Sequence, residues 1–218
     1  MQVPKVKVCG NRSLHDVRLT SQSDASYIGF VFAPSKRNVS SEQVAQWLQH
    51  IPLLADQRVV GVFVHPTIEQ LEHVCRTVPL HIIQLHGHET VAEILHVKER
   101  LSIPIWKAIH HEEESLTHMR LYEGIVDAYV VDTKEEQSWG GTGQRFDWQA
   151  IPFYLEEARR QGVPCFIAGG INADNVAEVK GYQPDGIDVA SGTETDGKKD
   201  YEKLNKIVGG NNHVCNFS

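Results

Sequence analysis

Short apolar runs alternate along this chain with longer stretches in which apolar positions recur every three or four residues. The runs are KVKVCG (5–10), YIGFVF (27–32), RVVGVFV (58–64), HIIQLHG (81–87), IPIWKAI (103–109), DAYVVDT (127–133), PCFIAGG (164–170) and GIDVASG (186–192). Most are apolar throughout rather than alternating, the pattern of parallel strands covered on both faces. The stretches between them predict helices. In TIEQLEHVCRTV, residues Ile68, Leu71, Val74, Cys75 and Val78 fall on one stripe. SLHDVRLTSQS and SSEQVAQWLQHI open on serines suited to cap a first turn, and in the second Glu42 and Gln43 follow. ETVAEILHVKERL, FDWQAIPFYLEEARRQG, NADNVAEVKGY and KDYEKLNKIV supply further helices, and ESLTHMRLYEG has the weakest pattern.

Eight strand–helix units of roughly 27 residues each match the spacing of a (β/α)8 barrel. An open doubly wound sheet also alternates strand and helix, but it rarely needs eight units, and no GxGxxG follows the first strand. The expected architecture is α/β, one (β/α)8 TIM-barrel domain over residues 1–218, with the barrel at about 5–208 and a polar tail at 209–218.

Composition narrows the function. Hydrophobic residues make up 41% and charged residues 22%, a balance suited to a substantial core. A net charge of −7 argues against nucleic acid as a partner, since phosphate-backbone binders cluster positive charge. A few local cations and backbone N–H groups can still hold one small anion. No apolar run reaches ~18 residues, so no membrane span is expected. The start, MQVPKVKVCGN, lacks the apolar core of a secretory leader, so a cytoplasmic protein is expected. Cys9, Cys75, Cys165 and Cys215 form no CxxC pair, and neither HGH (86–88) nor HH (110–111) has metalloprotease spacing. No metal site is expected.

In such a barrel the functional groups sit where strands end. Those ends carry Cys9-Gly10, Phe32-Ala33, His86-Gly87, Lys107, Asp132, Gly169-Gly170 and Ser191-Gly192. Cys9 and Asp132 are the most chemically capable, one a soft nucleophile or base and the other an acid. Each also has a plain reading, as a small core residue and as a carboxylate capping the next turn. AGGIN and ASGTE follow strands seven and eight, where barrels commonly hold phosphate against backbone N–H groups and a helix N-terminus near Asn172–Asn175. Arg37, just past strand two, could clamp a carboxylate bidentately. The long loop DTKEEQSWGGTGQRFDW suits a lid or wall. Asp127 begins strand six on the stability face. Asp188 lies mid-strand, where an inward carboxylate needs a partner or a role.

Together these segments resemble one family, the phosphoribosylanthranilate isomerases of tryptophan biosynthesis. KVCGN (7–11), GFVFAPSKRNVS (29–40), GVFV (61–64), IIQLHGHE (82–89), VVDTKEEQSWGGTGQRFDW (130–148), AGGINADNV (168–176) and GIDVASGTETDGKKD (186–200) carry the likeness, in order. It implies an Amadori rearrangement of N-(5′-phosphoribosyl)anthranilate. Residue by residue, it implies Cys9 as general base, Asp132 as general acid and Arg37 as the carboxylate ligand. It puts phosphate on Gly169, Gly170, Ser191 and Gly192, with Gly141, Thr142 and Gly143 nearby, and Asp188 joins the substrate-binding set. Lys7, on the same side of strand one, is a candidate to activate the thiol. Gly10 would leave room for the substrate ring. No cofactor is implied. The partner is a small phosphorylated substrate, with neither nucleic acid nor membrane, and the chain is expected as a monomer or homodimer. Departures are Lys36 where relatives often carry proline, the acidic HHEEE run (110–114), read as a solvated loop, and a tail with Cys215 that has no counterpart. Two alternatives remain open: a phosphosugar lyase or synthase barrel of the same pathway, and a barrel that binds a phosphoribosyl ligand without turnover.

Overall fold

The structure, a computed structural model, describes residues 3–133 and 146–208. Eight parallel strands close into a barrel in chain order: β1 (Lys5–Val8), β2 (Tyr27–Val31), β3 (Arg58–Phe63), β4 (Ile82–Leu85), β5 (Ile105–His110), β6 (Ala128–Asp132), β7 (Cys165–Ile167) and β8 (Gly186–Val189). The ring closes where β1 pairs with β8, Lys5 opposite Gly186 through Val8 opposite Val189. The helices are α1 (Leu14–Ser21), α2 (Ser41–His50), α3 (Ile68–Thr77), α4 (Val91–Arg100), α5 (Ser115–Leu121), α6 (Ile151–Gln161), α7 (Val176–Gly181) and α8 (Tyr201–Val208).

Local chemistry explains most helix boundaries. The Ser40 and Thr90 hydroxyls accept the N–H of Gln43 and Glu93, whose side chains reach back to the cap, so both helices open on a capping box. Gly162, at φ 75°, ends α6 in the left-handed conformation that other residues resist. The weak pattern at 114–124 does form α5, shorter than drawn and with no side-chain cap at its start.

Strand alternation divides the core in two. Val6, Val8, Ile28, Phe30, Val59, Phe63 and their equivalents face outward and pack beneath the helices. Val60, Ile82, Trp106, Ala128, Val130, Phe166 and Ala168 fill the barrel interior, with Tyr27 against them. The Trp106 and Phe166 rings lie 4.5 Å apart. Phe166 occupies the space a side chain at Gly186 would need, so that strand opens on glycine.

Two details depart from expectation. Strand β5 runs on to His110, so Lys107 does not end it. Its neighbours Trp106 and Ala108 face inward, and Lys107 faces outward, donating to Gly87 O at 2.6 Å and pairing with Glu89 at 3.0 Å. It is therefore no part of the rim. The segment before α8 is not all helix: Glu194–Thr195 (β9) and Lys198–Lys199 (β10) form a small antiparallel hairpin. Among the described residues no helix is long and apolar enough to cross a membrane.

Candidate active site

Above the apolar layer the barrel interior turns polar. Cys9 extends the β1–β8 ladder by one residue, its N–H donating to Val189 O at 2.8 Å, and alternation puts Lys7 and Cys9 on the inner face. The thiol packs over Gly29 of β2, where a Cβ would sit 2.9 Å from Sγ. Nothing in the sequence pattern singled out Gly29; a glycine inside the apolar run YIGFVF was the available signal. Asp188 does point inward and does have a partner: Lys7 Nζ donates to its Oδ2 at 2.7 Å, with both side chains nearly free of solvent.

Burial opposes the charge on Lys7, but Asp188 and Cys9 outweigh it and hold the ammonium above its ordinary pKa. Burial pushes the Cys9 thiol up, Lys7 pulls it down, and Asp188 pushes it up again. The sum is a raised thiol. Lys7 thus stands where activation was expected of it, but burial outweighs it.

Asp132 closes β6 opposite His110. Its Oδ1 accepts the Thr133 N–H at 2.7 Å. Its Oδ2 lies 3.4 Å from His86 Nε2. Burial raises this carboxyl, yet His86 and the Thr133 amide together bring it below its ordinary value, so Asp132 is ionised in this state. His86 is fixed from behind by Gln84, at 3.0 Å from Nδ1. His110 Nε2 donates to the His86 carbonyl at 2.9 Å, the two rings standing edge to face at 5.1 Å. Burial, and then His86, lower the His110 pKa to about 4. The HHEEE run is therefore not simply a solvated loop. His110 belongs to the inner wall, and His111 stacks on Phe146 and bonds the Tyr154 hydroxyl at 2.8 Å.

The stem of Arg37 crosses directly over Gly10. Gly10, at φ 75°, is therefore spared a side chain for Arg37, not for a substrate ring. The Arg37 fork is occupied by an internal carboxylate, with Nε donating to Glu194 Oε1 at 2.9 Å and Nη2 to Oε2 at 2.8 Å. Lys199 completes the group. Its Nζ lies 3.2 Å from Glu194 Oε1 and 2.9 Å from Thr193 Oγ1, and it donates to Cys9 O at 2.7 Å and Ala190 O at 3.1 Å. Neither Glu194 nor Lys199 was expected here: Glu194 sits in a stretch with no apolar period, and Lys199 opens the segment that predicts the last helix.

The two glycine loops meet. Gly169 and Gly170 adopt φ of 82° and 67°, and a side chain on Gly169 would strike Thr133 and approach Asp132. Gly192 lies against the Ile171 carbonyl and bridges to Asn172, with Ser191 beside it. The helix after AGGIN begins only at Val176. Asn175 does not cap it; its side chain accepts the Asn172 N–H at 2.8 Å and donates to Gly170 O at 2.9 Å, tying the loop to itself. Gly141, Thr142, Gly143 and Cys215 lie outside the described residues. Cys165 is buried in β7, and Cys75 is half-buried on α3. Among the described residues, no three His, Cys, Asp or Glu side chains are grouped to hold a metal.

This geometry can be set beside known proteins. A family model described as N-(5′-phosphoribosyl)anthranilate isomerase matches residues 6–209. A curated protein of that name from Geobacillus thermodenitrificans is 52% identical over 207 residues, covering 95% of this chain and 93% of the relative. The solved phosphoribosyl anthranilate isomerase of Thermotoga maritima superposes with a TM-score of 0.81 at 31% identity, over 94% of this chain and 97% of that one. Another isomerase structure, solved with reduced 1-(o-carboxyphenylamino)-1-deoxyribulose 5-phosphate, superposes at 0.77 and 30% identity, over 94% and 96%.

Proposed function

The chain belongs to the N-(5′-phosphoribosyl)anthranilate isomerase family, and from that membership we propose that it carries out this step of tryptophan biosynthesis with Asp132 as general acid and Cys9 as general base. The substrate is an N-aryl aminoaldose phosphate. The product is 1-(2-carboxyphenylamino)-1-deoxyribulose 5-phosphate, the unreduced form of the compound held by the related structure.

The chemistry needs one proton given and one taken. Protonated Asp132 donates to the furanose ring oxygen as the C1′–O bond breaks and the nitrogen lone pair forms an iminium. The iminium acidifies C2′–H, and the Cys9 thiolate removes that proton to give an enolamine. The enolamine tautomerises to the ketone. Each transfer is worth about 10²–10⁴ in rate. Within the protein itself, burial and Asp188 favour the protonated thiol, while His86 and the Thr133 amide favour the ionised carboxyl. The substrate corrects this: its ring covers Asp132 and excludes water, favouring the neutral acid, and the iminium joins Lys7 and Lys199 as a further cation drawing Cys9 toward thiolate. Arg37 holds the anthranilate carboxylate, and the joined loops at Gly169-Gly170 and Ser191-Gly192 hold the phosphate.

The observation that carries this reading is the placing of one thiol and one carboxylate at the C-terminal rim, Cys9 at the end of β1 and Asp132 at the end of β6, beside the two glycine loops. Loss of phosphoribosylanthranilate fluorescence with the purified protein tests it. Loss well above the spontaneous rate is expected, and Cys9→Ala and Asp132→Asn should each abolish it while leaving the fold intact. A wild-type rate equal to the spontaneous one, or full activity in either variant, would overturn the assignment.

A further inference from the structure

We infer that Glu194 is a positioning residue that makes the enzyme selective for a carboxylated arylamine, by fixing the guanidinium of Arg37 for the substrate's carboxylate. The inference rests on the proposed role of Arg37 and names the residue that determines specificity for that same site.

An arginine side chain is long and rich in rotamers, so on its own it recognises a carboxylate only after losing that freedom. Here the freedom is already removed. The stem is held over Gly10, and the Nε and Nη2 donors are both taken by Glu194, at 2.9 and 2.8 Å, with the Arg37 and Glu194 side chains 7% and 11% exposed. A planar fork bound along one edge can turn only with its partner. Glu194 therefore orients the guanidinium.

The same contact could be taken for a competitor that the substrate displaces. Lys199 argues against that. Its ammonium is fully buried, and it sits 3.2 Å from Glu194 Oε1 while donating to Cys9 O at 2.7 Å. Removing Glu194 from Arg37 would pull a carboxylate away from a buried lysine as well, leaving that charge with only neutral acceptors among the described residues. Glu194 is held from two sides and stays. One carboxylate thus ties the carboxylate ligand to the backbone of the proposed base, through Arg37 on one side and Lys199 on the other.

The test compares N-(5′-phosphoribosyl)anthranilate with N-(5′-phosphoribosyl)aniline, which lacks the carboxylate, following ketose formation for both. In Glu194→Gln the ratio of the two kcat/KM values should fall by about 10–100-fold, chiefly through a higher KM for the carboxylated substrate. Arg37→Ala should lose a similar ratio, and the double variant should be no worse than Arg37→Ala alone, because Glu194 acts through Arg37. A lower KM for the carboxylated substrate in Glu194→Gln would make Glu194 a competitor and overturn the inference. Equal losses on both substrates, or an additive double variant, would reduce it to a structural residue. Should Glu194→Gln not fold, Glu194→Asp keeps the charge but cannot reach both donors: a smaller fall in the ratio is expected, and an unchanged ratio refutes the inference. Absence of wild-type turnover would strike the proposed function instead. Stabilisation of wild type by free anthranilate, lost in Glu194→Gln, would then still read the Arg37 site, and equal stabilisation of both would overturn the inference.

Discussion

Removing Lys7 should destabilise the barrel sharply, and removing its partner as well should restore stability without restoring turnover. Lys7 is fully buried and Asp188 nearly so, at an Nζ–Oδ2 distance of 2.7 Å, and Asp188 Oδ1 has no hydrogen-bond partner among the described residues. Lys7→Met strips that carboxylate of its one ion-pair partner among the described residues. Breaking a buried pair from one side costs about 3–5 kcal/mol, because the remaining charge has neither water nor partner. For a chain of this size each kcal/mol moves Tm by about 2–4 °C, so a fall of roughly 6–20 °C is expected. The pH sign is simple. Lys7 titrates above its ordinary 10.5 when folded, so its contribution is fully present below pH 10.5 and is lost only as pH climbs through the higher folded value. A melt at neutral pH therefore reads the whole effect.

The double variant Lys7→Met/Asp188→Leu removes both charges and replaces them with apolar bulk, an exchange that is often neutral or stabilising. Its Tm should return close to wild type. Its kcat should not, because Lys7 is the chief counterweight to the burial that raises the Cys9 thiol. Thermal unfolding by circular dichroism and the fluorescence assay at one pH decide both halves. A Lys7→Met protein that melts like wild type would show that the pair is not the buried, mutually dependent contact described here. A double variant that regains stability and turnover together would show that Lys7 serves the fold alone.

Three further outcomes follow from the same geometry. Gly29→Ala puts a Cβ 2.9 Å from Cys9 Sγ and forces the thiol aside, so kcat should drop by about 10²-fold with little change in KM; an unchanged kcat would remove Cys9 from the reaction. Gly192→Ala drives a methyl into the Ile171 carbonyl, which is backbone and cannot swing away, so the two glycine loops must part at a cost of about 1–3 kcal/mol. KM for the phosphorylated substrate should rise with it, and competition by inorganic phosphate should weaken; unaltered values of both would place the phosphate elsewhere. His110 has its pKa lowered to about 4 from 6.5, so the unfolded chain takes up its proton first, and stability present above pH 6.5 is lost as pH falls toward 4. Urea unfolding across that window should show the loss in wild type and a flatter profile in His110→Gln; identical profiles would contradict a buried neutral histidine.

The barrel was legible because its signals are local and repeated. Every apolar run forms a strand, and caps such as Ser40 and Thr90 act within four residues of themselves. Where a strand stops was less legible, since PCFIAGG is apolar to its end but the strand is Cys165–Ile167, with Ala168 adding one last ladder bond to Val131 O at 2.7 Å. The left-handed φ at Gly169 and Gly170 turns the chain out, and hydrophobicity does not report φ. The inner and outer faces were hidden for a related reason: a strand apolar on both sides has no alternation to show which way Lys107 points.

The thiol and the carboxylate at strand ends could be singled out because topology alone brings strand ends together. What holds those groups in place could not. Lys199 opens the stretch that predicts the last helix, KDYEKLNKIV, and Glu194 lies in the polar stretch just before it. Only ring closure between β1 and β8 carries residue 199 to the carbonyl of residue 9, and Glu194 to Arg37. A buried ion group of this kind leaves no periodic trace, because its members come from distant parts of the chain: Arg37 from the turn after β2, and Glu194 and Lys199 from the two arms of the hairpin after β8. Its cost of desolvation is met only when all of them arrive. Single substitutions at Arg37, Glu194 or Lys199 should therefore be strongly coupled in double-mutant cycles, whereas Cys75, half-buried on α3 and outside the group, should add independently to each of them.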